Sequence, residues 1–112
     1  RANTISDAAG TGPVTLTGQS AAKAWVNFDN SPMTIRTSLN VSSLTDRGVG
    51  KPTVNFSSAF VDAQYSSAGI SEGNVQAPRM RTQTTTSVEL EQVNNTSTTF
   101  VDANTTCYSA FR

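Results

Sequence analysis

The chain has 112 residues, in which eight Lys and Arg balance eight Asp and Glu, and only 14% of the residues are charged. A chain without a basic surplus cannot neutralise many phosphates, which argues against nucleic-acid binding. The absence of His argues against a His-ligated metal site, and the single cysteine, Cys107, excludes an intrachain disulfide and a CxxC zinc site. There is no run of about 18 apolar residues, so no membrane-spanning helix is predicted, and we expect no cofactor.

The composition favours β-strands. The chain holds 17 Thr, 14 Ser and 10 Val but only four Leu and three Glu. β-Branched side chains lose rotamer freedom in a helix and pack well on a pleated sheet. A chain rich in Ser and Thr can also stay unfolded, but eight aromatic residues and a regular apolar rhythm predict one small folded domain.

Two segments differ in composition. Residues 1–20 contain a run of small, turn-forming residues at 7–13, and we expect an extended neck or linker there. Because the chain starts at Arg1 without a start Met or a signal-peptide pattern, we expect a segment of a longer protein or a processed product. Residues 21–112 are predicted to form the folded domain.

The first strand of this domain is predicted around Trp25, with Val26 and Phe28 beside it. Trp25 is the largest apolar side chain in the chain, so we expect it in the core, where it would pin the strand. The alternative is an exposed Trp25 that stacks on the C–H surface of a sugar. A turn is predicted at residues 29–32.

The clearest periodicity follows that turn. Residues 33–42 alternate between apolar and polar, which is typical of a half-buried strand, and one face is predicted to carry Met33, Ile35, Thr37, Leu39 and Val41. Residues 41–56 predict a β-hairpin, because two apolar-patterned runs flank a Gly-bearing turn at 46–50. Pro52 cannot donate a ladder hydrogen bond and is expected at a strand end or on an edge.

Two later segments share a sequence. Residues 60–63 and 100–103 both have the sequence Phe-Val-Asp-Ala, and an amide residue follows each. We interpret them as one corner used twice, in which the Asp caps its own turn and a strand follows. These strands are expected at 65–70 and 105–111.

Another strand is predicted at residues 82–93, with Val88 and Leu90 on one face and a turn at 94–97 after it. Residues 69–78 have few large apolar side chains and are expected to form a mobile loop. Together these elements predict an all-β fold, an antiparallel β-sandwich of about seven or eight strands. Greek-key and jelly-roll connections both remain open.

The acidic residues have ordinary structural explanations. Four of them fall in predicted turns at a spacing that matches no EF-hand or RTX calcium loop, so we expect turn capping from Asp29, Asp46, Asp62 and Asp102. A glycosidase pair would need two carboxylates about 5–9 Å apart, one of them with a raised pKa. Glu89 and Glu91 instead share a strand face that should be solvated.

The remaining polar and aromatic candidates also favour structural explanations. Cys107 is expected to be a small buried residue, and Tyr65 and Tyr108 are expected in the core or at an interface. Three arginines are expected on solvated strand faces, namely Arg36, Arg79 and Arg81. The alternatives are that they pair with carboxylates of a neighbouring subunit or bind an acidic glycan. No catalytic pattern connects these residues, and we expect no enzymatic activity.

Several segments together resemble a known module. They are residues 19–29 (QSAAKAWVNFD), residues 35–50 (IRTSLNVSSLTDRGVG), Val54-Asn55-Phe56 and Asp62-Ala63-Gln64-Tyr65. This pattern resembles a module of bacteriophage tail-fibre and related virion proteins that is frequent in phages of marine bacteria. Residues 4–13 are similar to the connector before that module. The chain departs from the usual pattern at Asn30, where Gly is common, and at Val61, where Pro is common.

The resemblance implies a non-catalytic virion structural protein, a tail-fibre domain that takes part in assembly and host-surface adhesion. It implies a homotrimer, contacts with other virion proteins and a host cell-surface glycan as a further partner, without nucleic acid or membrane insertion. Loops at one end of the sandwich would meet the host, and the candidates are Asp46, Arg47, Gly48, Glu72, Asn74, Asn94 and Asn95. The alternatives are a capsid decoration or minor head protein, and a free carbohydrate-binding module that depends on Trp25.

Overall fold

The computed structural model describes residues 21–96 and 98–112. This part of the chain contains eight β-strands and no helix, so it has no helix that could cross a membrane. The strands are β1 Ala22–Asn30, β2 Met33–Leu39, β3 Val41–Asp46, β4 Pro52–Phe56, β5 Ser66–Ser71, β6 Arg79–Gln83, β7 Ser87–Glu91 and β8 Thr106–Phe111. The prediction of an all-β fold is confirmed, whereas the predicted neck at 1–20 lies outside the described residues.

The strands form two four-stranded sheets in a sandwich-like arrangement. Sheet A has the order β2-β1-β8-β5, and sheet B has the order β3-β4-β7-β6. Every neighbouring pair is antiparallel, as period-2 patterns with short connections favour. The chain crosses from sheet A to sheet B after β2 and after β5, and it returns after β4 and after β7. Each sheet is therefore built from distant parts of the sequence.

One hydrophobic core lies between the two sheets. Its largest contributions come from β1, β4, β7 and β8, through Ala24, Val26, Phe28, Val54, Phe56, Val88, Leu90, Tyr108 and Ala110. Phe60 and Tyr65 pack on Phe56, and the centroids of the three rings lie 4.3 to 5.7 Å apart. The prediction that Tyr65 and Tyr108 belong to the core is confirmed, since they are 4% and 3% exposed.

The long strand predicted at 33–42 is in fact two strands, because the backbone turns at Asn40. This residue has a φ of 56°, in the left-handed region that Asn tolerates better than most residues. Its side-chain amide donates to the carbonyl oxygens of Lys23 and Ser58, both at 3.2 Å, and its Oδ1 accepts from the Ser58 backbone N–H at 2.7 Å. The apolar alternation therefore continues through a change of sheet, from β2 in sheet A to β3 in sheet B.

The single face predicted for this segment is also wrong, because a β-bulge interrupts β2. The pairing of β2 with β1 skips Arg36, which is the extra residue of the bulge. Before the bulge, Ile35 packs against the core. Beyond it the faces exchange, so Thr37 and Leu39 point to solvent, and Leu39 is 47% exposed.

The strand predicted at 82–93 is likewise two strands, β6 and β7, joined by a turn at residues 84–86. Its predicted apolar face is confirmed, because Val88 and Leu90 are 0% and 2% exposed. The prediction failed because the three Thr residues of the turn have strand propensity in isolation. A polar turn built from these residues differs little in sequence from the strands around it.

Two other predicted connections differ in outcome. The hairpin at 41–56 is confirmed, since β3 pairs with β4 around the loop 47–51 and Pro52 is the first residue of β4. The loop predicted at 69–78 starts later, because its first three residues belong to β5. Gly69 carries no side chain there, and a Cβ at this position would lie 2.8 Å from the Pro78 ring.

The two repeated corners lead into β5 and β8 as predicted, but they are not equivalent. At the first corner, Asp62 Oδ1 accepts from the backbone N–H of Gln64 at 2.9 Å and caps its own turn. At the second, Asp102 Oδ1 accepts from the N–H of Gly50, in a different loop, at 2.8 Å. Because β5 and β8 are antiparallel neighbours, the two corners lie at opposite ends of sheet A.

Candidate functional site

Trp25 lies on the outer face of sheet A, so the prediction of a core position is wrong. Its side chain is 36% exposed, while its neighbours Ala24 and Val26 are buried. The sequence contains the signal for this, because apolar residues at 24, 26 and 28 are spaced two apart and assign Trp25 to the other side. A buried Trp25 would have moved all three of those residues to the solvent face.

Two rows of side chains cross the outer face of sheet A around Trp25. Strand pairing orders them as Leu39, Trp25, Ser109 and Ala68 in one row and Thr37, Asn27, Cys107 and Ile70 in the next. Ile70 is 68% exposed and Leu39 is 47% exposed, so large aliphatic side chains occupy both edges of the sheet. The solvent face of an antiparallel sheet is usually polar, and an exposed apolar patch marks an interaction surface.

A shallow depression of about 440 Å³, which we call the Trp25 depression, lies on this face. Its lining is formed by Trp25, Val26, Asn27, Thr37, Ala68, Gly69, Ile70, Cys107, Tyr108 and Ser109. These described lining residues include no Lys, Arg, Asp or Glu, so the surface offers apolar and neutral polar contacts. Cys107 is half-buried here, on the outer face of β8, and not fully buried as predicted.

A cluster of polar contacts at the β-bulge fixes Asn27 in the wall of the Trp25 depression. The Arg36 guanidinium donates to Asn27 Oδ1 at 3.3 Å, to Thr105 Oγ1 at 2.8 Å and to the Asn104 carbonyl oxygen at 2.7 Å. The same guanidinium is 3.4 Å from the Asp29 carboxylate. The amide oxygen of Asn27 is therefore occupied, and its Nδ2 group remains able to donate.

Neutral polar groups in the Trp25 depression make no hydrogen bond within the described part of the chain. They are Asn27 Nδ2, Thr37 Oγ1, Ser109 Oγ and the indole N–H of Trp25. Groups of this kind bond to water when exposed. A ligand with several hydroxyl groups can replace that water without leaving a donor unpaired.

The outer face of sheet B has a different character. Arg81 lies between two carboxylates, 3.7 Å from Glu89 and 3.4 Å from Glu91, and Arg47 is 3.9 Å from Glu89. Glu89 and Glu91 share this face as predicted, and both are ion-paired within the chain. Ion pairs therefore lie on the outer face of sheet B, whereas the described residues that line the Trp25 depression in sheet A are uncharged.

Comparison of the chain with protein-family models, with curated proteins and with solved structures finds no match. The resemblance to virion modules therefore stays a prediction from the sequence. The function has to be argued from the surfaces of the domain itself.

The seven predicted host-contact residues all lie at one end of the sandwich, which we call the loop end. They are Asp46, Arg47, Gly48, Glu72, Asn74, Asn94 and Asn95. The loop end is formed by residues 46–51, 72–78 and the described residues of 92–105. It is opposite the end at which Ala22 pairs with Phe111.

Backbone hydrogen bonds join the segments of the loop end. The N–H of Asn95 donates to the carbonyl oxygen of Asn74 at 2.8 Å, and the N–H of Gln92 donates to that of Gly50 at 2.7 Å. These contacts connect loops that are about 20 to 40 residues apart in the sequence. The loop end is consequently a continuous surface and not a set of separate loops.

Arg47 differs from the other loop-end candidates because sheet B holds its side chain. Its Nε donates to Thr53 Oγ1 at 2.8 Å, and its Nη2 donates to the Leu90 carbonyl oxygen at 2.7 Å. The guanidinium thereby connects the hairpin loop to β4 and β7. These contacts of Arg47 stabilise the hairpin formed by β3 and β4.

Asp29, Asp46 and Asp62 cap their own turns as predicted, whereas Asp102 accepts from Gly50 in a different loop. Asp29 Oδ1 accepts from the N–H of Ser31 at 2.9 Å, and Asp46 Oδ1 accepts from that of Gly48 at 3.0 Å. The described residues contain no group of three or more His, Cys, Asp or Glu side chains that could hold a metal ion.

Four ionisable groups in the described part of the chain have shifted pKa values with clear structural causes, and one of them is Arg112, whose pKa is raised by its hydrogen bond to Asp62. Burial raises the pKa of Tyr65 and that of Tyr108. The hydrogen bond from the Arg112 guanidinium lowers the pKa of Asp62 to about 2, and the two side chains are 2.8 Å apart. These shifts belong to two core tyrosines and one exposed ion pair, which are structural groups.

Proposed function

We propose that this chain is a non-catalytic domain of a bacteriophage tail fibre, located in the virion, that acts in assembly and in adhesion to the host surface. The sequence resemblance over most of residues 4–65 is the starting point. The structural observation that supports the proposal best is the outer face of sheet A, where Trp25, Leu39 and Ile70 are exposed on a firmly packed sandwich. Such a surface functions by contact and requires no catalytic group.

The partners in this proposal are other copies of the chain, other virion proteins and a host cell-surface glycan. The oligomer is a homotrimer, as the resemblance implies. Three copies would present three sets of contact surfaces, and weak individual contacts would add through multivalency. The proposed function requires no cofactor, no nucleic acid and no membrane insertion.

Immunogold labelling of phage particles that encode this chain tests the location. An antiserum raised against the purified chain is expected to label the tail fibres. Uniform labelling of the head would support the capsid decoration alternative and contradict the tail-fibre proposal. Particles without label, either intact or disrupted, would contradict any role in the virion.

Native mass spectrometry of the full chain tests the oligomer separately. A mass of three chains is expected at micromolar concentration. A stable monomer under the same conditions would contradict the homotrimer, but not the location in the fibre.

A further inference from the structure

We propose that the Trp25 depression binds a neutral saccharide chain, with one hexose ring stacked on the indole of Trp25 and its hydroxyl groups bonded to Asn27, Thr37 and Ser109. The inference rests on the proposed adhesion function and names the class of ligand. We infer that a glycan, and not a second copy of the chain, occupies the outer face of sheet A around Trp25.

The arrangement of polar and apolar groups argues against a protein occupant. The central strands β1 and β8 place the neutral polar groups of Asn27 and Ser109 beside Trp25, whereas Leu39 and Ile70 are on the edge strands β2 and β5. The core of a protein interface is mainly apolar, and its hydrogen-bonding groups are concentrated at the rim. A protein surface packed on this face would bury the central donors without partners, which is unfavourable.

A saccharide ring matches the same arrangement. The C–H groups of the sugar present an apolar face to an aromatic ring. The hydroxyl groups around the edge of the sugar ring both donate and accept hydrogen bonds. Asn27 Nδ2 supplies donors, and the hydroxyls of Thr37 and Ser109 can do either. The volume of about 440 Å³ falls within the usual range of ligand pockets, about 300–1,000 Å³.

The uncharged lining indicates a neutral glycan. No Lys or Arg is among the described residues that line the Trp25 depression. Two cations are close in the sheet: Arg36 is already bonded to Asp29 and to Asn104, and Lys23, two residues before Trp25, lines a separate depression. An acidic saccharide would lose hydration of its carboxylates here without gaining a cationic partner. The site therefore discriminates against acidic chains.

Trp25 is the single Trp of the chain, so Trp fluorescence reports directly on this site. The full chain is titrated with cellohexaose, maltohexaose and chitohexaose as neutral probes and with polygalacturonate as the acidic probe. At least one neutral probe is expected to change the Trp emission in a saturable way. Polygalacturonate is expected to have no effect.

Variants measured by isothermal titration calorimetry locate the binding. Trp25→Ala is expected to abolish binding of the neutral probe, and Ser109→Ala is expected to weaken it about fivefold, the effect of one hydrogen bond. Val61→Ala is the control, because Val61 is 82% exposed but lies outside the depression, and its affinity should be unchanged. Far-UV circular dichroism should show the same fold in all variants, since these side chains are outside the core.

Two results would overturn the proposal. One is a folded chain in which no neutral probe changes the emission or releases heat. The other is an oligomer that shifts the Trp25 emission to shorter wavelength as protein concentration rises and that dissociates in Trp25→Ala, because a second copy would then cover the face. If the antiserum labels the tail fibres but no saccharide binds, only the saccharide inference is contradicted. If a saccharide binds but the antiserum labels no phage particles, only the tail-fibre proposal is contradicted.

Discussion

Asn40 combines two functions at one position, because it holds a left-handed backbone turn and its amide bonds to both flanking segments. In Asn40→Ala those hydrogen bonds are lost and a β-carbon remains at positive φ, so we expect the free energy of unfolding to fall by about 2–3 kcal/mol. Asn40→Gly should lose less, since Gly adopts this φ without strain. Urea unfolding followed by circular dichroism measures both. Equal losses would show that φ contributes nothing.

Tyr65 makes the stability of the domain depend on alkaline pH. Its buried hydroxyl donates to the Thr84 carbonyl oxygen at 2.7 Å, and burial raises its pKa. An unfolded tyrosine loses its proton near pH ~10, whereas the folded one retains it, so above that pH the native state binds more protons. The contribution of Tyr65 to stability is therefore expected to be constant below pH ~10 and to be lost as the pH rises further.

The variant Tyr65→Phe tests this pH dependence. At neutral pH it should lower the free energy of unfolding by about 1 kcal/mol, because the Thr84 carbonyl loses its partner. Above pH ~10 its stability should decline less steeply than that of the original chain, with Tyr108 responsible for the remaining decline. Melting temperatures across this range provide the measurement, and parallel curves for the two proteins would contradict the assignment to Tyr65.

At the scale of elements, loops contribute to the fold by close packing as well as by turn geometry. Gly50 and Gly73 have nearly the same φ, +68° and +72°. A Cβ at Gly50 would lie 2.6 Å from the Gln92 carbonyl oxygen, while one at Gly73 would meet nothing within 4 Å. The two positions therefore separate backbone strain from steric contact.

We expect Gly73→Ala to cost about 1–2 kcal/mol of unfolding free energy, the strain of an L-residue at this φ. Gly50→Ala should cost a further 1–3 kcal/mol or so, because the hairpin loop has to move away from residues 92 and 101. Thermal unfolding of both variants measures the difference. If the two melt at the same temperature, close packing at Gly50 is unimportant.

The β-bulge at Arg36 is an element-scale feature that shapes the candidate site. It exchanges the faces of β2, turns Thr37 towards the Trp25 depression and places Arg36 beside Asn27. Alternation along the sequence predicted the strand but not the bulge, because a bulge appears only when β2 is aligned with β1. The depression consequently depends on a register that local sequence does not specify.

At the scale of the whole molecule, the two sheets are joined by polar as well as apolar contacts. Gln92, the residue directly after β7, is fully buried and donates through Nε2 to Thr106 Oγ1 of sheet A. Asn30 of sheet A donates to the same Thr106 oxygen at 2.9 Å. This cluster closes the core at the loop end and positions the loops above it.

A shared core predicts that the sheets unfold together. Leu90→Ala in sheet B should lower the free energy of unfolding by about 2–5 kcal/mol, because a buried cavity replaces the side chain. Trp25 fluorescence reports on sheet A, and its urea midpoint should shift by the same amount as the far-UV circular dichroism midpoint. A shift in the circular dichroism without a shift in the fluorescence would show that the sheets unfold independently.

The sequence by itself determined the strand class, the hairpin at 41–56 and the apolar face of β7, because side-chain period and turn chemistry are local properties. The two-residue spacing of the apolar residues at 24, 26 and 28 also indicates that Trp25 lies on the outer face. The large apolar side chain of Trp25 led instead to the prediction of a core position. Only the tertiary structure decided which sheet each strand joins, where the segment at 33–42 divides and which side chains surround Trp25. Those side chains come from β1, β2, β5 and β8, and they meet through pairings between distant segments, which no local pattern encodes.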